Sequence, residues 1–532
     1  MTLSAPPREP TRTDRLLAAV GGLVAAYVSL AVADLVAFWV RPEASPVPAV
    51  GDTVVDRTPA AVEQWAIRVF GESDKAVLQL GILVLLGLLA AGIGLLALRH
   101  RVAGSVAVGA FGLLGALAAV TRPDSDSALD AVPSLVGAAV GAVLLYVLIG
   151  RLLAPRAGAA ARPDATDRSD RRGFLIVAAS AGLAATGAAA LGRAAGSPVA
   201  ENAAASRASL RLPRPASAAP PVPAGAQLRI PGISPFLTPN RDFYRVDTAL
   251  VVPKVDADRW RLRLHGGGVR EERVLTLPEL MARRVVERDL TLACVSNEVG
   301  GPYVGNARWL GVHLADLLRE AGVRPPSEGG SADQLVARSV DGMTIGTPVE
   351  EVMDGRDALL AFGMNGEPLP FTHGFPVRML VPGLYGYVSA CKWIESIELT
   401  TFEAYDAYWV PRGWAAEAPV KTQSRIDTPR ALARPAAGTV MIAGVAWAQH
   451  RGIARVEVRI DDGPWRDAKL AAEDSRDTWR QWVHPWQATP GRHTLTVRAT
   501  DGTGATQPEE RTGTMPDGAQ GWHSVVVTVE GA

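Results

Sequence analysis

The first two hundred residues of the chain contain five long apolar segments separated by short polar connections. These segments are rich in Ala, Leu, Val and Gly and run over residues 16–40, 77–98, 102–120, 132–153 and 174–191. A helix needs about 20 apolar residues to cross the hydrocarbon core of a bilayer. Because soluble domains rarely supply five such segments in series, the pattern predicts a transmembrane region of five helices over residues 16–192, preceded by a tail at residues 1–15.

Arginines cluster in alternate connections of this region. They precede the first segment, separate the second from the third and separate the fourth from the fifth: Arg8, Arg12, Arg15, Arg99, Arg101, Arg151, Arg156, Arg162, Arg168, Arg171 and Arg172. The connection between the third and fourth segments is instead acidic. Since basic residues favour the cytoplasmic side, the pattern predicts a cytoplasmic tail, a multi-pass protein of the cell membrane and an extracytoplasmic position for everything after residue 192.

Two adjacent arginines stand directly before the fifth segment. The sequence from Ser169 to Leu175, with the pair Arg171-Arg172, is similar to a twin-arginine export signal, here placed internally. The pair can equally belong to the basic connection that precedes it. As an export signal, it would carry a part of the protein that crosses the membrane already folded.

After the apolar region the sequence pattern changes twice. Residues 193–226 are rich in Ala, Pro and Ser and are typical of a flexible to semi-extended linker. Residues 227–428 mix alternating strand patterns with short amphipathic helices, such as the capping-box sequence at Thr276–Glu279. Residues 429–532 show several short period-two strands separated by Asp-Gly turns, which indicate an immunoglobulin-like sandwich. The fold class predicted is therefore multi-domain: transmembrane helices, an α+β domain and an all-β sandwich.

Composition excludes several classes of function. Lys+Arg and Asp+Glu both number 54, so the net charge is zero and nothing in it favours nucleic acid as a partner. Two cysteines in 532 residues exclude a disulfide-built scaffold and a multi-cysteine metal site. All eight histidines lie outside the five segments, so we expect no haem in the membrane region. Asp34 is the one acidic residue within a predicted span, and the sequence offers no explanation for it.

The segment with the clearest chemical signal surrounds Cys294. The sequence Thr291-Leu-Ala-Cys-Val-Ser-Asn-Glu-Val-Gly-Gly301 places this cysteine at the end of a predicted strand, before polar residues and glycines. Three interpretations stay open on this pattern: a buried structural cysteine, a thiolate nucleophile, or one soft ligand of a metal held mainly by another group.

This segment and several others resemble the sulfite oxidase family of molybdopterin-dependent oxidoreductases. The resemblance covers residues 239 to about 529 and rests on separated motifs in the family's order: Pro239-Asn-Arg-Asp-Phe-Tyr-Arg245, the Cys294 segment, Asn365-Gly-Glu-Pro-Leu-Pro370, His373-Gly-Phe-Pro-Val-Arg378 and Cys391-Lys-Trp393. It implies a sulfite-oxidase-type molybdopterin domain, followed by a dimerisation domain of immunoglobulin-like fold and hence a homodimer.

The resemblance also assigns roles to individual residues. Cys294 matches the thiolate that binds molybdenum, and Arg245 and Trp414 match residues of the substrate pocket. A further set matches contacts to the pterin cofactor: Asn240, Phe243, Tyr244, Asn297, His373, Arg378, Cys391 and Lys392. Arginine and lysine fit this role because the pterin ends in a phosphate.

The resemblance implies oxygen-atom transfer to or from a small sulfur or nitrogen compound, such as sulfite oxidation or sulfoxide reduction. The chain departs from the family where Glu298 replaces an arginine and where Trp414 replaces a tyrosine. Loss of a positive charge weakens the match to the sulfite dianion, although sulfite stays the nearest named substrate. Because no haem domain precedes the motifs, we expect a separate electron-transfer partner. The alternative function is a cofactor-free binding module that keeps the fold.

Overall fold

The protein, in a computed structural model, forms two compact units, residues 1–201 with 248–251 and residues 202–247 with 252–532. The structure describes residues 11–41, 44–58, 62, 69, 74–122, 125, 127–153, 163–194, 198–249 and 251–531. The predicted cytoplasmic tail therefore lies mostly outside the described residues, as do the basic residues Arg8, Arg156 and Arg162.

Helices form most of the N-terminal unit as far as it is described. They are α1 (Arg12–Val40), α2 (Pro46–Arg57), α3 (Asp74–Arg99), α4 (Arg101–Val120), α5 (Val132–Leu152) and α6 (Pro163–Ala194). Among the described residues, α1, α3, α4 and α5 are long and apolar enough to cross a membrane. The fifth predicted span lies in α6, whose apolar part, Arg172–Gly187, is shorter than a bilayer requires, so this span stays a prediction.

Small residues let these apolar helices pack with their backbones in close contact. A Cβ atom at Gly22 of α1 would lie 2.0 Å from the carbonyl oxygen of Ala90 in α3. A Cβ atom at Gly94 of α3 would likewise lie 2.0 Å from the carbonyl oxygen of Ala18 in α1. Such contacts are typical of helix pairs in membranes, where apolar side chains alone give little preference for one neighbour. Asp34, unexplained by the sequence, accepts a hydrogen bond from the hydroxyl of Ser45.

Two sheets and several short helices build the region that the sequence predicts as α+β. One sheet has the order β2-β1-β10-β5-β6 and the other β3-β4-β7-β8, with β9 also paired to β7. Their strands are β1 (Arg261–Gly266), β2 (Arg273–Thr276), β3 (Val285–Ala293), β4 (Val304–His313), β5 (Gln334–Ser339), β6 (Thr344–Pro348), β7 (Leu359–Met364), β8 (Glu367–Pro368), β9 (Arg378–Leu380) and β10 (Ile394–Thr400). The helices that follow α6 are α7 (Pro198–Ser209), α8 (Leu277–Met281), α9 (Leu314–Glu320), α10 (Val349–Met353) and α11 (Gly386–Ser389). The predicted capping box is confirmed at the start of α8, where Thr276 and Glu279 bond reciprocally.

Two four-stranded sheets form the C-terminal region, with the orders β11-β12-β16-β15 and β14-β13-β17-β18. Their strands are β11 (Gln423–Thr428), β12 (Gly438–Trp447), β13 (Ile453–Ile460), β14 (Arg466–Asp467), β15 (Lys469–Leu470), β16 (Arg480–Ala488), β17 (Gly491–Asp501) and β18 (His523–Val529). Every pairing within these sheets is antiparallel, as alternating apolar positions predict. The two sheets agree with the predicted sandwich, while its immunoglobulin-like assignment stays a prediction.

One apolar core continues from the α+β region into the sandwich. Trp447 and Trp479, which belong to the C-terminal region, are 1% and 2% exposed and pack in the cluster that contains the strands around Cys294. The two sheets of the sandwich enclose a second core around Trp482. Packing therefore joins the two regions across the predicted boundary at residue 428.

The structure differs from the expected flexible linker over residues 198–226. Helix α7 begins this segment, and Arg207 on it donates hydrogen bonds of 2.7 Å to the carbonyl oxygens of Leu369 and Pro368. Further on, the backbone of Ser217 pairs with Val286 at the edge of β3. The Ala, Pro and Ser composition did not reveal these contacts because most of them use backbone atoms.

We expect Arg207→Ala to destabilise the sheet-rich unit by about 1–3 kcal/mol, because it removes two charge-assisted hydrogen bonds that hold α7. The measurement is the Tm of the full chain in detergent, followed by tryptophan fluorescence. Arg211→Ala is the control, since Arg211 is exposed on the same segment. Equal Tm values for the two variants would contradict the role of Arg207.

Candidate active site

Cys294 lies directly after β3, at the point where its side chain enters a polar cluster. It is 7% exposed, and its backbone N–H donates to the carbonyl oxygen of Tyr303 at 2.9 Å. Burial raises the pKa of its thiol, while hydrogen bonds from Ser296 and the charge of Lys392 lower it. A buried thiol near a cation becomes a thiolate most readily when a further positive ion binds it.

Two aromatic residues pack beside this cysteine. Tyr244 is close enough to Cys294 and Arg378 for both to influence its pKa, which burial raises above its usual range. The ring of Phe243 lies 5.2 Å from that of Tyr244 and 5.6 Å from that of His373, measured between centroids. Phe243 therefore connects the cysteine side of the cluster with its histidine side.

The histidine side contains a buried cation and a neutral imidazole. Arg378 is 5% exposed, and its Nη1 donates to the carbonyl oxygen of His373 at 3.2 Å. Burial lowers the pKa of Arg378 to about 10. Burial and the charge of Arg378 lower the pKa of His373 to about 4, so His373 is neutral at pH 7. Its Nε2 then donates to the carbonyl oxygen of Asn240 at 2.9 Å.

Arg245 and Lys392 share one carboxylate that the sequence analysis did not single out. Asp247 is 2% exposed at its side chain, lies 2.9 Å from Nε of Arg245 and accepts from Nζ of Lys392 at 2.7 Å. The charges of both cations influence the pKa of His373, which places all of them in one electrostatic cluster. The signal available in the sequence was the spacing of Arg245 and Asp247, two residues apart on an extended segment.

The remaining predicted residues hold backbone segments around the cluster or extend it. Asn297 closes the loop after Cys294, because its Oδ1 accepts from the backbone N–H of Tyr303 at 2.8 Å. Asn240 donates to Glu367 at 2.6 Å. Cys391 is 3% exposed, and burial raises the pKa of its thiol. Trp414 joins the cluster less directly: its ring lies 5.7 Å from that of Tyr387, which follows Gly386.

The cluster fits a bound anionic group. Nε of Arg378 is buried and has no hydrogen-bond partner among the residues that the structure describes. Gly374, at φ +103°, allows close packing of the backbone here, since a Cβ atom there would lie 3.1 Å from the Cβ atoms of Arg378 and Lys392. A buried guanidinium with an unsatisfied N–H is a donor that a phosphate can use. Within the described part of the chain, no three His, Cys, Asp or Glu side chains form a metal site. A metal bound to Cys294 would therefore need its other ligands from the bound group.

Comparison with known proteins assigns this arrangement to a family. The model of the oxidoreductase molybdopterin-binding domain matches residues 249–409, a range that contains Cys294, His373, Arg378 and Lys392. Mitochondrial sulfite oxidase of Homo sapiens is 31% identical over 291 residues, which are 46% of this chain and 52% of that protein. The uncharacterized oxidoreductase YuiH of Bacillus subtilis (strain 168) is 30% identical over 159 residues, or 30% of this chain and 74% of that protein.

The chain belongs to the sulfite oxidase family of molybdopterin-dependent oxidoreductases. It spans about half the length of the mammalian sulfite oxidases that it matches. Among solved structures, the sulfane dehydrogenase SoxCD of Paracoccus pantotrophus is similar with a TM-score of 0.48 and 23% identity, covering 56% of this chain and 85% of that one. The family model and the sequence relatives confirm the family and the molybdopterin domain expected from the motifs, whereas the roles of individual residues stay predictions.

We expect His373 to make the cofactor-free protein less stable as pH falls. The unfolded chain binds a proton on this imidazole below pH 6.5, but the folded chain does so only near pH 4. Between pH 7 and pH 5 the loss is about 2 kcal/mol. His373→Gln should reduce the fall in Tm over this pH interval. His523, whose pKa is also lowered to about 4, contributes equally in both proteins. An unchanged pH dependence in the variant would contradict the expectation.

Proposed function

We propose that the chain is a membrane-anchored molybdenum-cofactor enzyme that transfers an oxygen atom to or from a small sulfur compound, by sulfite oxidation or sulfoxide reduction. The observation that carries this proposal is the buried Arg378, with its unsatisfied Nε, in the same cluster as the thiol of Cys294. A binding module without a cofactor has no use for a buried guanidinium with an unsatisfied N–H, since such a group costs stability when it has no partner.

Each residue of the cluster has a distinct task in this proposal. When bound, the molybdenum cofactor supplies the oxygen-atom transfer and the electron chemistry. Cys294 would hold the metal as a thiolate, and Arg378 with Lys392 would hold the terminal phosphate of the pterin. Neutral His373 keeps Asn240 in place through its hydrogen bond. Phe243 and Tyr244 would contact the pterin, and Asn297 and the backbone at Cys391 would close the site.

The charge of the pocket favours a neutral substrate over a dianion. Arg245 is the residue that would face the substrate, and the nearby Asp247 neutralises much of its charge. Glu298, four residues after Cys294, carries a negative charge where the resemblance implies an arginine, and its side chain is exposed. Sulfoxide reduction therefore fits the residues of the pocket better than sulfite oxidation, with Trp414 on the substrate side through its neighbour Tyr387.

We further propose a location and partners for the enzyme. Four helices with the length and composition of membrane spans support anchoring in lipid. Together with the predicted fifth span in α6, the arginine-rich connections would put the catalytic domain on the extracytoplasmic side. The pair Arg171-Arg172 in α6 would serve export of a folded, cofactor-loaded domain. Electrons would pass to or from a separate redox partner, and the C-terminal sandwich would form a homodimer.

We expect Cys294→Ala to remove enzymatic activity by more than about a hundredfold while the Tm changes little, because it removes the thiolate but leaves a small buried side chain. Dye-coupled turnover and molybdenum content of the full chain measure the two effects. Cys391→Ala is the matched control, since Cys391 is an equally buried thiol. Retained turnover in Cys294→Ala would contradict the ligand role, and a wild-type chain without molybdenum, after production in a cofactor-competent host, would favour a binding module.

We expect Asp247→Asn to strengthen binding of sulfite by roughly threefold to tenfold, because it leaves Arg245 and Lys392 without their shared carboxylate. The measurement is the KM or inhibition constant of sulfite, compared with the KM of a neutral sulfoxide, which should stay nearly constant. Asp316→Asn is the control, since that exposed carboxylate also pairs with an arginine. An equal change for both ligands would show that charge in the pocket does not select the substrate.

A further inference from the structure

The chain segment that bears Cys294 is held on both sides by residues of the C-terminal region. The contacts reach Thr291, three residues before the cysteine, and residues 299–301, which follow it. We call the residues that make them the clamp, and they are Arg425, Gln449, Asp477, Trp479, Arg511 and His523.

Before the cysteine, three clamp residues bond to a single residue of β3. The backbone N–H of Thr291 donates to the carbonyl oxygen of Asp477 at 3.0 Å, and its carbonyl oxygen accepts from Nε2 of Gln449 at 3.0 Å. The backbone N–H of Trp479 donates to the Thr291 hydroxyl at 2.8 Å. Thr291 is 1% exposed, so these bonds are protected from water. They fix the strand just before it delivers Cys294 into the site.

After the cysteine, clamp residues contact the backbone of residues 299–301. Gly300 has φ +80°, and a Cβ atom there would lie 2.2 Å from the imidazole ring of His523, which therefore covers this backbone closely. Arg425 donates through Nη1 to the carbonyl oxygen of Gly301 at 2.7 Å. Arg511 donates to the carbonyl oxygen of Val299 at 3.5 Å. The glycines are thus necessary for the loop to approach the sandwich.

The loop transmits these contacts to the cysteine. Its ends are joined by the hydrogen bond from the N–H of Cys294 to the carbonyl oxygen of Tyr303. Inside it, the N–H of Asn297 donates to the carbonyl oxygen of Cys294 at 3.1 Å. Movement of Gly300 or Gly301 would therefore disturb the backbone that carries the thiol.

We propose that His523 and Arg425 are positioning residues, through which the C-terminal sandwich fixes the loop from Cys294 to Tyr303 in its metal-binding conformation. This inference rests on the proposed function only for the identity of the ligand that the loop presents. It gives the sandwich a part in assembling the active site, in addition to the expected dimerisation. His523 acts with its ring, while its Nδ1 accepts from the backbone N–H of Ile426 at 3.0 Å and so ties β18 to β11.

Two substitutions separate the ring contact from this second role. His523→Asn offers an oxygen to the N–H of Ile426 but removes the ring edge that covers Gly300. His523→Phe keeps a ring against Gly300 but leaves the N–H of Ile426 without its acceptor. The readout is the alkylation rate of Cys294 by iodoacetamide in the cofactor-free full chain, resolved from Cys391 by peptide mass spectrometry.

We expect His523→Asn to increase the alkylation rate of Cys294 roughly tenfold, with Cys391 unchanged, because the loop opens more often. His523→Phe should stay within about twofold of the wild type at Cys294 although its Tm falls. The matched control is His493→Asn, since His493 lies in the same sandwich and bonds to Asp461 and Thr489 instead. In the loaded enzyme, His523→Asn should also release molybdenum several-fold faster during dialysis.

Two results would overturn the inference: an unchanged alkylation rate in His523→Asn, or rates that follow the Tm in both variants. The latter would show that His523 only stabilises the fold. Failure of the proposed function is distinguishable, because a wild-type chain that binds no molybdenum still reports the mobility of the loop through Cys294.

Discussion

Arg378 brings a positive charge into the interior, and the rest of the site depends on how that charge is accommodated. Its guanidinium faces the ring of Trp309 at 5.1 Å and reaches the carbonyl oxygen of His373, yet its Nε stays unsatisfied within the described residues. An uncompensated buried charge costs several kcal/mol, even after relaxation of the protein has reduced the desolvation penalty. Burial, together with this charge, lowers the pKa of His373 and keeps it neutral. A protein can keep such an arrangement where a bound anion compensates it, which is why the site fits a phosphate-bearing cofactor.

The family and the order of the elements could be predicted from the sequence, because they depend on local patterns. Apolar length indicated α1, α3, α4 and α5, and alternation indicated the sandwich strands. The motif residues Phe243, His373 and Arg378 do come together, as the resemblance implied. Hydrophobic periodicity acts over a few residues, so it predicts where the elements lie. The meeting of distant motifs was implied by the resemblance instead.

What the sequence did not reveal depends on long-range or backbone contacts. Asp247 pairs with both Arg245 and Lys392, but Lys392 is 145 residues away along the chain. The segment at residues 198–226 has the composition of a linker, yet it is held by backbone hydrogen bonds that composition does not encode. The predicted boundary at residue 428 separates two regions whose strands differ in pattern, although Trp479 packs across it. The hydrophobic and polar pattern of the sequence shows where helices and strands lie, but not which of them share a core.

The contacts between the sandwich and the α+β region matter because Cys294 lies at the end of a strand. A residue directly at the end of β3, such as Cys294, has neighbouring backbone on one side only, since β4 pairs with Thr291 while the opposite edge of β3 is open to other contacts. An unpaired edge would fray, and fraying at Thr291 would displace Cys294. Backbone and side-chain groups of Gln449, Asp477 and Trp479 occupy that edge. The sandwich therefore supplies the support that a side chain at the end of a strand requires, and its attachment to the α+β region is a condition for holding Cys294 in a fixed position.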